Sequence, residues 1–281
     1  MLCLACIVIA AMGAIAKVIG PSLPSTQIAC LRFAIALPLI VAFKPKGCVG
    51  LLRSRHLGLH ALRGLAAGSA MAMAFYAYAN MRLADATALL FLEPLFIVAL
   101  TALGTWQRLG ARQTVALALG LAGALVILQP GSSVVSHAGL VAVLAAIAAS
   151  FVALLTRRLA QSETTAPMLV AGTLLPALVL LVPTTLTWVA PSAEQWAWLG
   201  LLALAGTLGQ ALIIAAYRLA PPSAIAPAEY VQLPAALVFG AVFFAEPMTV
   251  TTLAGMGLII AAPVLLRAGW RRDRQLGVRP V

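Results

Sequence analysis

The chain is 281 residues long, 63% hydrophobic and only 9% charged, with a mean hydropathy of +1.06. A soluble domain is about half apolar and about a quarter charged, so this chain lacks the polar surface to cover a soluble globule. The composition also excludes a disordered chain and a disulfide-stapled secreted domain, and the net charge of +11 has to be weighed against a membrane before a nucleic acid.

A spanning helix takes about 20 apolar residues. Apolar runs bounded by turn and charge signals predict ten of them, over 1–19, 25–43, 58–80, 85–105, 111–129, 138–156, 165–187, 195–217, 222–244 and 249–267. The links are short and polar, and none is long enough for an extramembrane domain. The first span holds Cys3 and Cys6, a C-x-x-C with no second pair, read as small apolar helix residues. It lacks a basic start and stays apolar to Lys17, which predicts a retained helix and not a cleaved signal. Lys17 and, on the second span, Arg32 are in-helix cations. Each has three open roles: neutralising a substrate carboxylate, pairing with a glutamate, or snorkelling to the headgroups. Arg63, near the start of the third span, is expected to snorkel.

The third span carries Met71, Phe75 and Tyr78 on one face and Met73, Tyr76 and Asn80 on another. Tyr76, Tyr78 and Asn80 are its substrate-facing candidates, set against the plainer role of packing. Gly64 and Gly68 form a G-x-x-x-G that permits close helix approach. Glu93 falls near mid-depth of the fourth span, with Pro94 directly after it as a bending point. On the eighth span Gln210 and Tyr217 share a face. The ninth holds Glu229 at a depth like that of Glu93, and Pro234 as a second bending point. An ionised carboxylate facing lipid is costly, so Glu93 and Glu229 should face the bundle interior, there to bind a cationic group or carry a proton. Trp106, Trp188, Trp196, Trp198 and Trp270 lie at span ends, where indoles anchor at the headgroups.

With the N-terminus placed in the cytoplasm, fourteen cations fall on the cytoplasmic side: Lys44, Lys46, Arg53, Arg55, Arg108, Arg112, Arg157, Arg158, Arg218, Arg267, Arg271, Arg272, Arg274 and Arg279. One, Arg82, falls opposite. Cytoplasmic loops carry excess Lys and Arg, so both termini are predicted inside.

Two stretches resemble each other. Arg82-Leu-Ala and Arg218-Leu-Ala both stand at helix junctions, and a glutamate follows each arginine by eleven residues, at Glu93 and Glu229. The repeat unit is five spans, an odd number, so the second copy enters the membrane inverted, as in secondary transporters. The prediction is an all-α integral membrane protein of ten transmembrane helices in two inverted five-helix repeats, 1–130 and 131–267, with a basic tail over 268–281. No G-x-x-x-x-G-K-[ST], H-E-x-x-H or potassium-filter motif is present. His56 and His60 stand four apart without a third ligand. The chain is therefore not read as an enzyme, and neither cofactor nor metal is expected.

At Arg82-Leu-Ala-Asp-Ala-Thr-Ala with Pro94, at Ala226-Pro-Ala-Glu-Tyr230, at Lys17 and Arg32, and at Glu246-Pro-Met-Thr followed by Gly255, the sequence resembles the EamA-like branch of the drug/metabolite transporter superfamily. One departure is Trp106-Gln107, where the family pattern has Gly-Glu. The resemblance covers nearly the whole chain as two EamA units. It implies a central substrate cavity and an inner-membrane carrier that works by alternating access and exports a small metabolite. Aromatic or methionine-like amino acids suit a mainly apolar cavity with a few polar anchors. A passive facilitator and a drug-efflux carrier are the alternatives. The implied partners are a small-molecule substrate, the lipid bilayer and protons as a candidate coupling ion, with no nucleic acid.

Overall fold

A computed structural model describes residues 2–43, 54–105, 111–128, 137–160, 162–163, 165–219 and 231–275. These residues form eleven α-helices, labelled here in chain order: α1 (Leu2–Ile19), α2 (Ser25–Phe43), α3 (Leu57–Asn80), α4 (Leu83–Leu90), α5 (Glu93–Thr105), α6 (Ala111–Leu128), α7 (His137–Leu159), α8 (Thr165–Leu186), α9 (Ala193–Leu219), α10 (Gln232–Phe244) and α11 (Val250–Gln275). In hydrocarbon only intrahelical bonding satisfies every backbone group, which is why apolar runs of this length become helices. Among the described residues five segments are long and apolar enough to cross a membrane by length and composition, four shorter apolar helices stand at the second, fifth, ninth and tenth positions, and the third is the 24-residue, less apolar α3.

The structure departs from the expected spans in two places. The fourth is broken into α4 and α5 at Phe91 and Leu92, immediately before the Glu93-Pro94 bend predicted from sequence. Proline lacks an N–H and fits the first turn of a helix, so the chain restarts at Glu93 with Pro94 in that turn. Tight bonds carry the backbone across the break, with Leu92 N–H donating to Leu89 O at 3.1 Å and Phe96 N–H to Leu92 O at 3.1 Å. Pro234 likewise stands in the first turn of α10. The last helix continues to Gln275, beyond the span end expected at 267.

Helix packing follows the repeat. Counting α4 and α5 as one span, the first repeat supplies spans one to five and the second spans six to ten. The first span packs on the eighth and the third on the sixth; the first packs on the ninth and the fourth on the sixth; the second packs on the eighth and the third on the seventh. Each pair becomes its neighbour in that sentence when spans five apart are exchanged. The second and seventh spans, and the fifth and tenth, pack on each other and are their own images. Such a set defines a pseudo-two-fold axis between inverted repeats.

Loop contacts confirm the alternation of ends. Gln27 donates to Val189 O at 2.7 Å, and Gln195 donates to Ser22 at 3.0 Å, joining the first and seventh links. Ser54 donates to Glu163 at 2.5 Å, joining the second and sixth. Among the described residues, the first and seventh links thus meet at one end, here called the far end, and the second and sixth meet at the other, here called the terminal end.

Small residues set the closest approaches. A Cβ on Gly123 would lie 2.8 Å from Gly255 O, and one on Gly255 would lie 2.9 Å from Gly123 O, so the fifth and tenth spans touch backbone to backbone. Gly64 and Gly68 seat α3 on α8, where their Cβ atoms would meet Leu175 Cβ at 2.5 Å and Pro176 O at 3.3 Å.

Candidate functional site

A cavity of about 690 Å³ runs between helices of both repeats. It is lined from α1, α2, α3, the end of α4, α5, α7, α8, α9 and α10 and by the break between α4 and α5, and among the described residues α6 and α11 contribute none. Its walls are mainly apolar, with Met12, Phe33, Met71, Phe75 and Phe91 among them. Cys6, Arg63, Ile97, Val152 and Ile213 carry the lining toward the terminal end of the bundle.

Polar groups enter this lining at few points. Arg32 and Arg63 supply guanidinium groups, Glu93 a carboxylate, Gln210 and Gln232 amides, and Tyr78 a buried phenol. Arg63 does not snorkel as expected. Its Nη1 donates to Met168 O at 3.0 Å, and the absent side chain of Gly172 makes the room, since a Cβ there would lie 2.9 Å from Nη2. Pro94 lines the cavity one position after Glu93.

Other predicted site residues stand elsewhere. Tyr76 and Asn80 are exposed on α3 and do not line the cavity. The reason is helical spacing: Tyr78 turns inward, while Tyr76 and Asn80, four apart, share a different face and bond within their own helix, Asn80 Nδ2 to Tyr76 O at 2.8 Å. Lys17 is also off the cavity. Glu229 lies outside the described residues, as does the side chain of Tyr217.

Lys17 belongs instead to a polar cluster that closes the far end. Its ammonium pairs with Glu246 Oε1 at 2.7 Å, donates to Met81 O at 2.5 Å and lies 5.4 Å from the Phe244 ring centroid. Glu246 Oε2 accepts from Leu83 N–H at 2.9 Å, at the first turn of α4, where backbone donors are otherwise unpaired. Arg82 Nε reaches Asp85 Oδ2 at 2.6 Å and Arg82 Nη1 donates to Thr249 at 3.0 Å. Thr252 donates to Asp85 Oδ1 at 2.7 Å. This cluster ties the ends of the first, third, fourth, ninth and tenth spans together. Sequence reasoning missed it as a unit. Its local signal is the i, i+3 pair Arg82–Asp85, and its long-range partners come from the opposite repeat.

A ten-span helical bundle with a central cavity between inverted repeats, tied together by polar contacts at its far end, is the build of a membrane transporter. The sequence profile of the EamA-like transporter family matches residues 1–129 and 137–268, so the chain belongs to the EamA-like transporter family. It is 27% identical over 255 residues to a riboflavin transporter of Brucella anthropi, covering 87% of this chain and 88% of that one. It is 27% identical over 260 residues to a pseudopaline exporter of Pseudomonas aeruginosa, covering 91% and 90%. An S-adenosylmethionine uptake transporter of Rickettsia felis is 25% identical over 250 residues, covering 89% and 85%. A solved crystal structure at 18% identity superposes with a TM-score of 0.61 over 96% of each chain, which supports the fold. The protein is a multi-pass membrane transporter of a small metabolite and not an enzyme.

Proposed function

We propose that this transporter is a secondary carrier that exports a small, largely apolar metabolite across the inner membrane by alternating access, with both termini in the cytoplasm. The observation that carries the reading is the asymmetry of the bundle: a cavity that runs toward the terminal end and a polar cluster that seals the far end. A cavity open on the cytoplasmic side loads from the cytoplasm, as export requires. Aromatic or methionine-like amino acids fit its size, its Met and Phe walls and its few polar groups. The two EamA units, 1–130 and 131–267, act as the rocking halves, and the tail after 267 stays on the cytoplasmic side.

Protons are the proposed coupling ion, with Glu93 and Glu229 as the carriers. Counterflow in proteoliposomes with a labelled metabolite panel tests the carrier: saturable exchange is expected, and no exchange of any compound overturns it. Flux that neither saturates nor exchanges assigns a passive facilitator instead. Glu93→Gln and Glu229→Gln should each lower the rate and flatten its pH dependence. Full rate and unchanged pH dependence in both remove these acids from coupling.

A further inference from the structure

We propose that Arg32 is the anion anchor of the cavity, so that the transported molecule carries a carboxylate or phosphate on an apolar body. This deepens the carrier reading above and rests on it.

Arg32 lies seven residues into α2, about 10 Å along the helix from Ser25. The residue is 7% exposed and lines the cavity. Its Nε is buried without a hydrogen-bond partner among the described residues. Its one neighbour of note is the adjacent Phe33 ring, with the guanidinium carbon 4.5 Å from the ring centroid. An arginine keeps its charge under physiological conditions, so the protein holds in its interior a cation with no ion pair among the described residues. Removing a charge from water is expensive unless something pairs with it, and an unpaired buried charge is among the most destabilising features a fold can keep.

The ion pairs among the described residues do not compensate it. Glu246 is committed to Lys17, Asp85 to Arg82, Glu163 lies beside His60, and none of these ion pairs joins Arg32 to Glu93, the carboxylate on the same wall. Snorkelling, the alternative open to Lys and Arg near helix ends, does not suit a group at this depth and burial. Arg63, the other arginine on the wall, also has a buried Nε without a partner among the described residues, but it differs in that Met168 O already accepts from its Nη1 and in being less buried.

The guanidinium is also given space and direction. A Cβ on Gly206 of α9 would lie 2.8 Å from Arg32 Nη2, 2.9 Å from its Nε and 3.0 Å from Met12 Sδ. Glycine at 206 therefore lets α9 and α1 flank the guanidinium. The planar fork suits two carboxylate or phosphate oxygens at once. The Phe33, Phe75, Tyr78 and Met71 walls take an apolar body. The ligand then supplies the missing counter-charge, and the empty carrier holds a site that neutral or cationic compounds do not satisfy.

The test uses the full-length protein in detergent and charge-matched probes: hydrocinnamate against hydrocinnamamide for the carboxylate, and phenyl phosphate against phenol for the phosphate. Thermal unfolding is followed over a concentration series. At least one acid should raise Tm saturably and its neutral partner should not; which acid does so separates carboxylate from phosphate. Arg32→Gln should abolish the preference, and Arg32→Lys should keep it with about tenfold weaker binding. Gly206→Ala keeps the charge but crowds the guanidinium, and should weaken acid binding. It provides the readout if Arg32→Gln fails to fold. Equal response to acid and neutral probes in the wild type, including no response to either, overturns the proposal. So does a preference that survives Arg32→Gln, or unchanged acid binding in Gly206→Ala. Exchange of neutral compounds alone in counterflow removes the anion anchor and leaves the carrier standing; no exchange of anything removes the carrier, while the unfolding series still decides on Arg32.

Discussion

The side chains of Lys17 and Glu246 are 15% and 12% exposed, and each holds more than the other's charge. The lysine also donates to Met81 O, and the glutamate also receives the first amide of α4. Breaking a buried pair by removing one partner leaves an uncompensated charge, at about 3–5 kcal/mol when burial is complete. Here some water reaches both groups, so Lys17→Met and Glu246→Gln should each cost about 2 kcal/mol. The double variant should lose less than the sum, with a coupling of about 1 kcal/mol. Thermal unfolding of the four proteins checks this, and strict additivity would show that the pair does not act as one. The sequence left three roles open for Lys17 and could not choose among them. The choice depends on a glutamate at the other end of the chain, which hydropathy and local spacing do not reach. Arg63 shows the same limit from the other side. Its nearness to a helix end argued for the headgroups, whereas the space beside Gly172 turns it inward.

At the scale of helices, span positions follow from the number of apolar residues needed to cross a bilayer, so ten apolar runs were legible as ten spans. The break at Phe91 and Leu92 was legible as a bend, because Pro94 has no N–H to bond the carbonyl of Leu90; that the bend is a full interruption was not. The extension of α11 to Gln275 was hidden too. Basic residues end an apolar run without ending a helix, and Arg is a good helix former. Packing distance was legible only as a tendency of small residues. The reciprocal contact of Gly123 and Gly255 makes it specific, since each glycine faces the other's carbonyl. Gly123→Val or Gly255→Val should force the fifth and tenth spans apart and cost about 2 kcal/mol or more, as overpacking does. Gly257→Ala, with nothing within 4 Å of the added atom, should leave stability unchanged. Unfolding temperatures compared across the three decide the matter; equal losses at 255 and 257 would contradict the packing described.

For the whole molecule, the proposed alternating access makes the sealed far end, with a cavity that runs toward the terminal end, one of two states related by the pseudo-two-fold axis. Exchange of the repeats would open the far end and close the other. The contacts that must break in that exchange are those of Lys17, Arg82, Asp85, Glu246, Thr249 and Thr252. If they stabilise the sealed state by about 2 kcal/mol, losing one member moves the equilibrium about thirtyfold toward the far-side-open state. Cavity access reads this shift directly. In a background with Cys3, Cys6, Cys30 and Cys48 replaced, a cysteine is placed at Ala149 or Val152, both of which line the cavity. A membrane-impermeant maleimide should label it quickly in inside-out vesicles and slowly in right-side-out vesicles. Adding Glu246→Gln should speed labelling in right-side-out vesicles and slow it in inside-out ones. Fast labelling of the parent from the right-side-out face would reverse the assigned orientation or the resting state, and a C-terminal fluorescent-protein fusion tells these apart, since it glows only when its end is cytoplasmic. An access pattern that Glu246→Gln leaves unchanged would mean that the cluster braces the fold and takes no part in gating.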